Sequence, residues 1–154
     1  MPNAPFITEA RVALDVHARS TKHLLDLAAS QLALDLPHLS VEPIFDALLA
    51  RERLGTTAIG GGVALPHGRL ALVQAPTAAV LRLDEPLDMG AADGRGVDLV
   101  IVLLVPDRCN ERDIAVLSDL VQDFSDTHFI TALRHAASAR AVLELLTDPA
   151  RAAA

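Results

Sequence analysis

The chain of 154 residues has no tryptophan, no tyrosine, four phenylalanines and a single cysteine, Cys109. A core with so few aromatics must be filled by Leu, Val, Ile and Ala. One cysteine excludes an internal disulfide and a cysteine metal cluster, and it fits a reducing compartment. The first sixteen residues show no basic lead followed by an apolar core, so no secretory signal is visible. The longest apolar run, residues 99–105, is far too short to cross a bilayer. Positive charge is scarce as well: 13 Lys and Arg stand against 20 Asp and Glu, a formal charge of −7. That balance argues against nucleic acid or an anionic membrane surface as the main partner and suits a basic partner protein. The chain therefore reads as soluble and cytoplasmic, without membrane insertion, in one domain with its ordered core over about residues 8–148.

What is present is apolar residues in regular patterns, 51% of the chain. Alternation at Val12, Leu14 and Val16 predicts an early strand. Ser20 is placed to cap a helix over 21–34 with Leu24, Leu25, Ala28 and Leu32 on one face, and Leu36-Pro37-His38 breaks it. Ser40 is placed to cap a second helix to about residue 53, with Pro43 in its first turn and Phe45, Leu48 and Leu49 as its stripe. Residues 56–62 read as a loop, 63–65 as a short strand, 78–83 as a strand and 84–96 as turns. Residues 99–105 read as a strand buried on both faces, so helices should cover both sides of the sheet. A helix over 111–124 carries Ile114, Leu117, Val121 and Phe124 on one face, read as core. Ser125-Asp126-Thr127 opens a short helix to about 135, and Ser138 caps a last one to about 146. Asp148-Pro149 then stops the pattern before an alanine-rich tail read as frayed. The fold class is α/β, a mixed sheet with helices on both faces.

Candidate chemistry concentrates in residues 55–69, Gly-Thr-Thr-Ala-Ile-Gly-Gly-Gly-Val-Ala-Leu-Pro-His-Gly-Arg. A neutral imidazole is a nucleophile, and an ordinary histidine, with a pKa of about 6.5, is mostly neutral at pH 7. His67 is therefore a candidate phosphoryl acceptor. The Gly68 amide, the hydroxyls of Thr56 and Thr57, and the Arg51 guanidinium are candidate donors to phosphoryl oxygens. On residue types alone, a plain glycine turn and a structural histidine fit the same stretch.

The run Arg51-Glu52-x-Leu-Gly-Thr-Thr-x-Ile-Gly-x-Gly-Val-Ala-Leu-Pro-His-Gly-Arg69 resembles the active-site signature of enzyme IIA domains of the bacterial phosphotransferase system, of the fructose/mannitol type. The similarity extends to Leu14-Asp15-Val16 with Ser20-x-Lys22, to the strand ending at Pro106, and to residues 117–126. With no fused transporter domain in view, the nitrogen-regulatory branch is the expected one. The resemblance implies that His67 accepts a phosphoryl group from an HPr-like carrier protein. It implies that Arg51 helps hold the group, with Thr57 and the Gly68 amide as supporting donors. It also implies regulated target proteins, which among relatives include potassium transport and sensor kinase proteins. Family members usually carry a second histidine early in the helix after the buried strand, and Asp113 stands there instead. A carboxylate in that place is expected to orient the His67 ring and to repel a phosphoryl dianion, shortening the life of the phosphorylated state. A binding module of the same fold with weakened phosphotransfer is the alternative.

Other candidates are weaker. His17, His23, His38, His128 and His135 lack metal-ligand spacing, so no metal is expected. Asp84, Glu85 and Asp88 read as a solvated turn beside Pro86 and Gly90. The glycine run lacks the Gly-Lys-Ser/Thr of a nucleotide loop, and no cofactor motif accompanies it. No Ser or Cys nucleophile motif supports a hydrolase with His67 as base.

Overall fold

The computed structural model describes residues 6–148. Pro149 and the alanine-rich tail lie outside the described residues. The strands are β1 Val12–Val16, β2 Ala58–Gly60, β3 Val63–Ala64, β4 His67–Arg69, β5 Thr77–Leu87 and β6 Val97–Val105. The helices are α1 Thr21–Ala33, α2 Val41–Glu52, α3 Glu111–Phe124, α4 Thr127–His135 and α5 Ala139–Thr147.

The sheet runs β1-β5-β6-β3-β2, with β4 also on β6. β6 pairs antiparallel with β5 on one side, and parallel with β3 and then β4 on the other. The expected mixed sheet is what forms. Side chains alternate across a strand, and β6 shows why its sequence is apolar throughout. Val100, Val102 and Leu104 enter the core under α1 and α2, with Leu24, Leu25, Ile44 and Leu48. Leu99, Ile101 and Leu103 enter the core under α3, α4 and α5, with Leu120, Phe124, Leu133 and Val142. Phe45 packs against the first layer and Phe6, Phe124 and Phe129 against the second, where the Phe124 and Phe129 rings lie 5.8 Å apart and tilted.

Helix starts follow side-chain chemistry. Ser20 accepts the His23 N–H and Ser138 the Ala141 N–H, each at 3.1 Å, while Asp126 accepts the His128 N–H at 2.9 Å. Ser40 stands at the start of α2 but its side chain makes no capping bond.

Three expectations change. Residues 56–62 are not all loop, because Ala58–Gly60 pairs with β3 and the chain reverses at Gly61-Gly62. Residues 84–87, read as turn, continue β5, because Leu87 still pairs with Val97 across an irregularity in the ladder. The α3 stripe is not a core face: Phe124 is buried, but Ile114 is 57% and Val121 48% exposed. The helix is rolled so that Asp113, Leu120 and Phe124 face inward instead.

Candidate functional site

His67 opens β4 directly after Pro66, opposite Leu103 of β6. Alternation puts its ring on the α3 face of the sheet with Leu103, and puts Gly68 on the α2 face with Leu104. The ring is half-buried, and Nδ1 lies 2.9 Å from the carbonyl oxygen of Leu65. A carbonyl only accepts, so this bond assigns the proton to Nδ1 and leaves the lone pair on Nε2.

Arg51 reaches the same place from the last turn of α2. Its Nη1 donates to the Gly55 carbonyl at 2.9 Å, which folds the guanidinium back over the loop that follows the helix. Glu52 fastens the other end of that loop. Its carboxylate accepts the Thr57 N–H at 3.0 Å on Oε2 and the Thr57 hydroxyl at 2.7 Å on Oε1. The Thr56 hydroxyl donates to the Met89 carbonyl at 2.6 Å and accepts the Ala58 N–H at 3.1 Å. Both threonine hydroxyl protons are thus directed at protein acceptors. Thr57 is buried, and a charge-assisted bond to a buried hydroxyl is among the stronger local ties.

Arg51, Thr57 and His67 line one open depression of about 400 Å³, closed below by Leu103 and Val105 and flanked by Leu117 and Val121 of α3. The structure brings these three candidate residues together. Gly68 and Asp113 are not in that lining. The ladder bonds of Leu103 N–H to Pro66 and of Leu70 N–H to Val105, with the parallel register, turn the Gly68 N–H toward β6. What Gly68 permits is close packing: a Cβ there meets the Ala47 Cβ at 3.0 Å and the Ala47 carbonyl carbon at 3.2 Å. Asp113 is buried one turn before Leu117 on α3, and its Oδ2 accepts the Asn110 N–H at 3.2 Å. With Asn110 Oδ1 accepting the Asp113 N–H at 2.8 Å, this completes a capping box. The acceptor that orients the His67 ring is Leu65, not Asp113.

The glycine run is a separate device. Gly60, Gly61 and Gly62 all have positive φ and turn the β2–β3 hairpin. A Cβ on Gly62 meets Arg134 Nη2 at 2.5 Å. Arg134 donates to Asp98 Oδ1 from Nε at 3.1 Å and from Nη2 at 2.8 Å, and Nη2 reaches the Gly61 carbonyl at 2.6 Å. Asp93 accepts the Gly61 N–H at 2.9 Å. That bond, then the Arg95 N–H, hold the Asp93 carboxyl below the usual carboxylate range.

Two contributors escaped the sequence reading. The Leu65 carbonyl carries no side-chain signal. Glu52 stands inside the motif, yet nothing local says that its carboxylate closes on Thr57. Beside the depression, Ile59, Ile114 and Val121 are 49%, 57% and 48% exposed. Among the described residues no group of three or more His, Cys, Asp or Glu could hold a metal ion, and none of the helices is long and apolar enough to cross a membrane.

Residues 5–148 match the family described as phosphoenolpyruvate-dependent sugar phosphotransferase system, EIIA 2. The chain belongs to that family. It is 38% identical over 142 residues to a nitrogen regulatory protein of Pseudomonas aeruginosa, covering 92% of each chain. The fold superposes on the crystal structure of nitrogen regulatory protein IIA-Ntr from Neisseria meningitidis with a TM-score of 0.82 and 37% identity, over 92% of this chain and 96% of that one. It also superposes on the Escherichia coli mannitol enzyme IIA solved in complex with phosphorylated enzyme IIB, with a TM-score of 0.72 and 26% identity, over 90% and 94% of the two chains. The resemblance read from the signature is borne out, as is the fold class.

Proposed function

We propose that this protein is a regulatory phosphoryl carrier of the nitrogen phosphotransferase type, accepting a phosphoryl group on Nε2 of His67 from an HPr-like carrier. The observation that carries the reading is the Nδ1 bond of His67 to Leu65, made beside Arg51 in an open depression. In the transfer, the Nε2 lone pair attacks phosphorus. The P–N bond to the donor histidine breaks, and its electron pair stays on the donor nitrogen. The His67 proton remains on Nδ1, held by Leu65, so the acceptor needs no separate base. Arg51 supplies a guanidinium toward the equatorial oxygens, and such charge stabilisation is most of what phosphoryl transfer asks of a protein. Thr57 contributes by fixing the loop through Glu52, and turns toward the phosphoryl group only if its proton leaves Glu52.

The apolar rim of Ile59, Ile114 and Val121 suits a protein partner better than a small substrate. A mannitol enzyme IIA of the same fold meets phosphorylated enzyme IIB, which supports a protein as the other party. A phosphoryl group adds roughly 1.5 to 2 negative charges beside this rim. Targets then distinguish the two states by charge. Targets of the kinds regulated by relatives, potassium transport and sensor kinase proteins, are the class to test.

The test is incubation with phosphoenolpyruvate, enzyme I and the carrier. Stoichiometric, acid-labile labelling that disappears in His67→Ala is the expected result. A second reading has one observation behind it, the carboxylate of Asp113 where relatives usually have a second histidine. A chain that binds the carrier but takes no label is a regulatory module without phosphotransfer.

A further inference from the structure

A second cavity of about 460 Å³ lies behind the β2–β3 turn, within the ~300–1,000 Å³ usual for small-molecule sites. Its polar wall is formed by Arg95, Arg134, Thr127 and the main chain of Gly60 and Gly61. Ser125 also lines it, but its hydroxyl donates to the Val121 carbonyl at 3.0 Å. The acids that balance the two arginines, Asp93 and Asp98, are not in the lining. Two arginines and no acidic residue line the cavity.

Arg134 is already ordered. Asp98 and the Gly61 carbonyl take its Nε and Nη2, which leaves Nη1 for a further acceptor. An acceptor arriving there need not immobilise a long side chain, so less of its binding energy is lost to ordering. Arg95 gives a second planar donor set, and two such forks suit an oxyanion. The remaining wall is apolar. Ile59, Leu65 and Val121 belong to it, and the same three line the His67 depression from the other side.

We propose that this cavity binds a small amphipathic oxyanion, a carboxylate or phosphate monoester with a short apolar part, and that its occupancy is felt at His67. Coupling follows from the shared wall. Leu65 touches both spaces, and its carbonyl fixes the ring of His67. An anion in the cavity also adds negative charge next to the place where a phosphoryl dianion would form. By linkage, the ligand then binds the unphosphorylated protein better and disfavours phosphorylation to the same degree. That last consequence rests on His67 being the acceptor, whereas the site itself does not.

The experiment follows amide and histidine-ring NMR signals of the unphosphorylated chain during titration with propyl phosphate, butyrate, inorganic phosphate and butanol. Saturable shifts of the Gly60, Gly61 and Thr127 amides with propyl phosphate or butyrate, together with movement of the His67 ring signals, are expected. Whichever of the two anions saturates first identifies the head group. Arg95→Gln, a change at an exposed residue, should weaken binding at least ~tenfold, or 1.4 kcal/mol. Three results overturn the proposal: no saturation by either organic anion at ~50 mM, equal response to butanol, or unchanged affinity in Arg95→Gln. Inorganic phosphate binding as tightly as propyl phosphate removes the apolar part of the assignment. Anion binding without any phosphoryl labelling sinks the carrier function and leaves this site standing, and labelling without anion binding does the reverse.

Discussion

The imidazole of His67 points its Nδ1 at the carbonyl oxygen of Leu65, two residues back along the chain and 2.9 Å away. The bond fixes ring orientation and tautomer at once, using only main chain. It predicts the isomer of the phosphorylated protein. The label should be on Nε2, seen as the 31P–1H coupling pattern of that isomer; an Nδ1 adduct would mean that the ring turns before transfer.

Glu52 is the residue whose loss should separate positioning from chemistry. Glu52→Ala removes both acceptors of the buried Thr57 and should destabilise the fold by about 1–3 kcal/mol. Glu52→Gln keeps an acceptor for one of the two bonds and should recover a good part of that loss. Labelling rate should fall in both, in the order Ala below Gln. A labelling rate indifferent to Glu52 in a stably folded variant disposes of the idea.

Gly68 answers a steric question. Gly68→Ala presses a methyl group into Ala47 of α2, with backbone as well as side chain in the way. Overpacking of this kind costs about 1–3 kcal/mol, measurable by urea denaturation. Ala47→Gly in the same chain should restore only part, because the Ala47 carbonyl carbon stays in place at 3.2 Å.

For Asp113, charge and cap are separable. Asp113→Asn keeps an oxygen for the Asn110 N–H, whereas Asp113→Ala removes it and should cost about 0.5–1.5 kcal/mol, the usual net worth of one hydrogen bond. Phosphohistidine half-life should lengthen in Asp113→Asn, since the charge is lost while the helix start is kept. Identical half-lives in wild type and Asp113→Asn would show that the carboxylate does not act on the phosphoryl group.

Two carboxylates should respond oppositely to pH. Burial first, then the charges of Asp119 and Asp126, raise Asp123 above the usual range. A raised carboxyl penalises the folded state once it ionises, so the penalty is absent in acid and complete above the folded value. Asp123→Asn should raise Tm near neutral pH, with the gain closing as pH falls below the ordinary aspartate value of about 3.9. Asp93 is depressed by the Gly61 N–H. Its contribution is therefore present above the ordinary value and lost as pH falls through the lowered one. Asp93→Asn should show its difference from wild type at neutral pH and not in strong acid.

The sheet and helices were legible because β6 is apolar at nearly every position and α1, α4 and α5 start on Ser or Asp. The α3 stripe misled for a physical reason. Periodicity reports that Ile114, Leu117 and Val121 share a face, but which face meets the core depends on how the helix rolls against β6. Ile59 read as part of a loop and Val121 as core until the fold put them beside His67. That His67 and Arg51 belong to one candidate site was readable from the motif, and they do line one depression. The Leu65 carbonyl and the Glu52–Thr57 closure were not, because main-chain direction and loop closure leave no trace in residue types.

The bonds that build the His67 site all join near neighbours in sequence: Arg51 with Gly55, Glu52 with Thr57, Leu65 with His67. Two of the three apolar rim residues, Ile114 and Val121, come from a helix far along the chain. Under the proposed function, phosphoryl acceptance would rest on one short continuous stretch, whereas partner choice would rest on side chains that only the whole fold assembles.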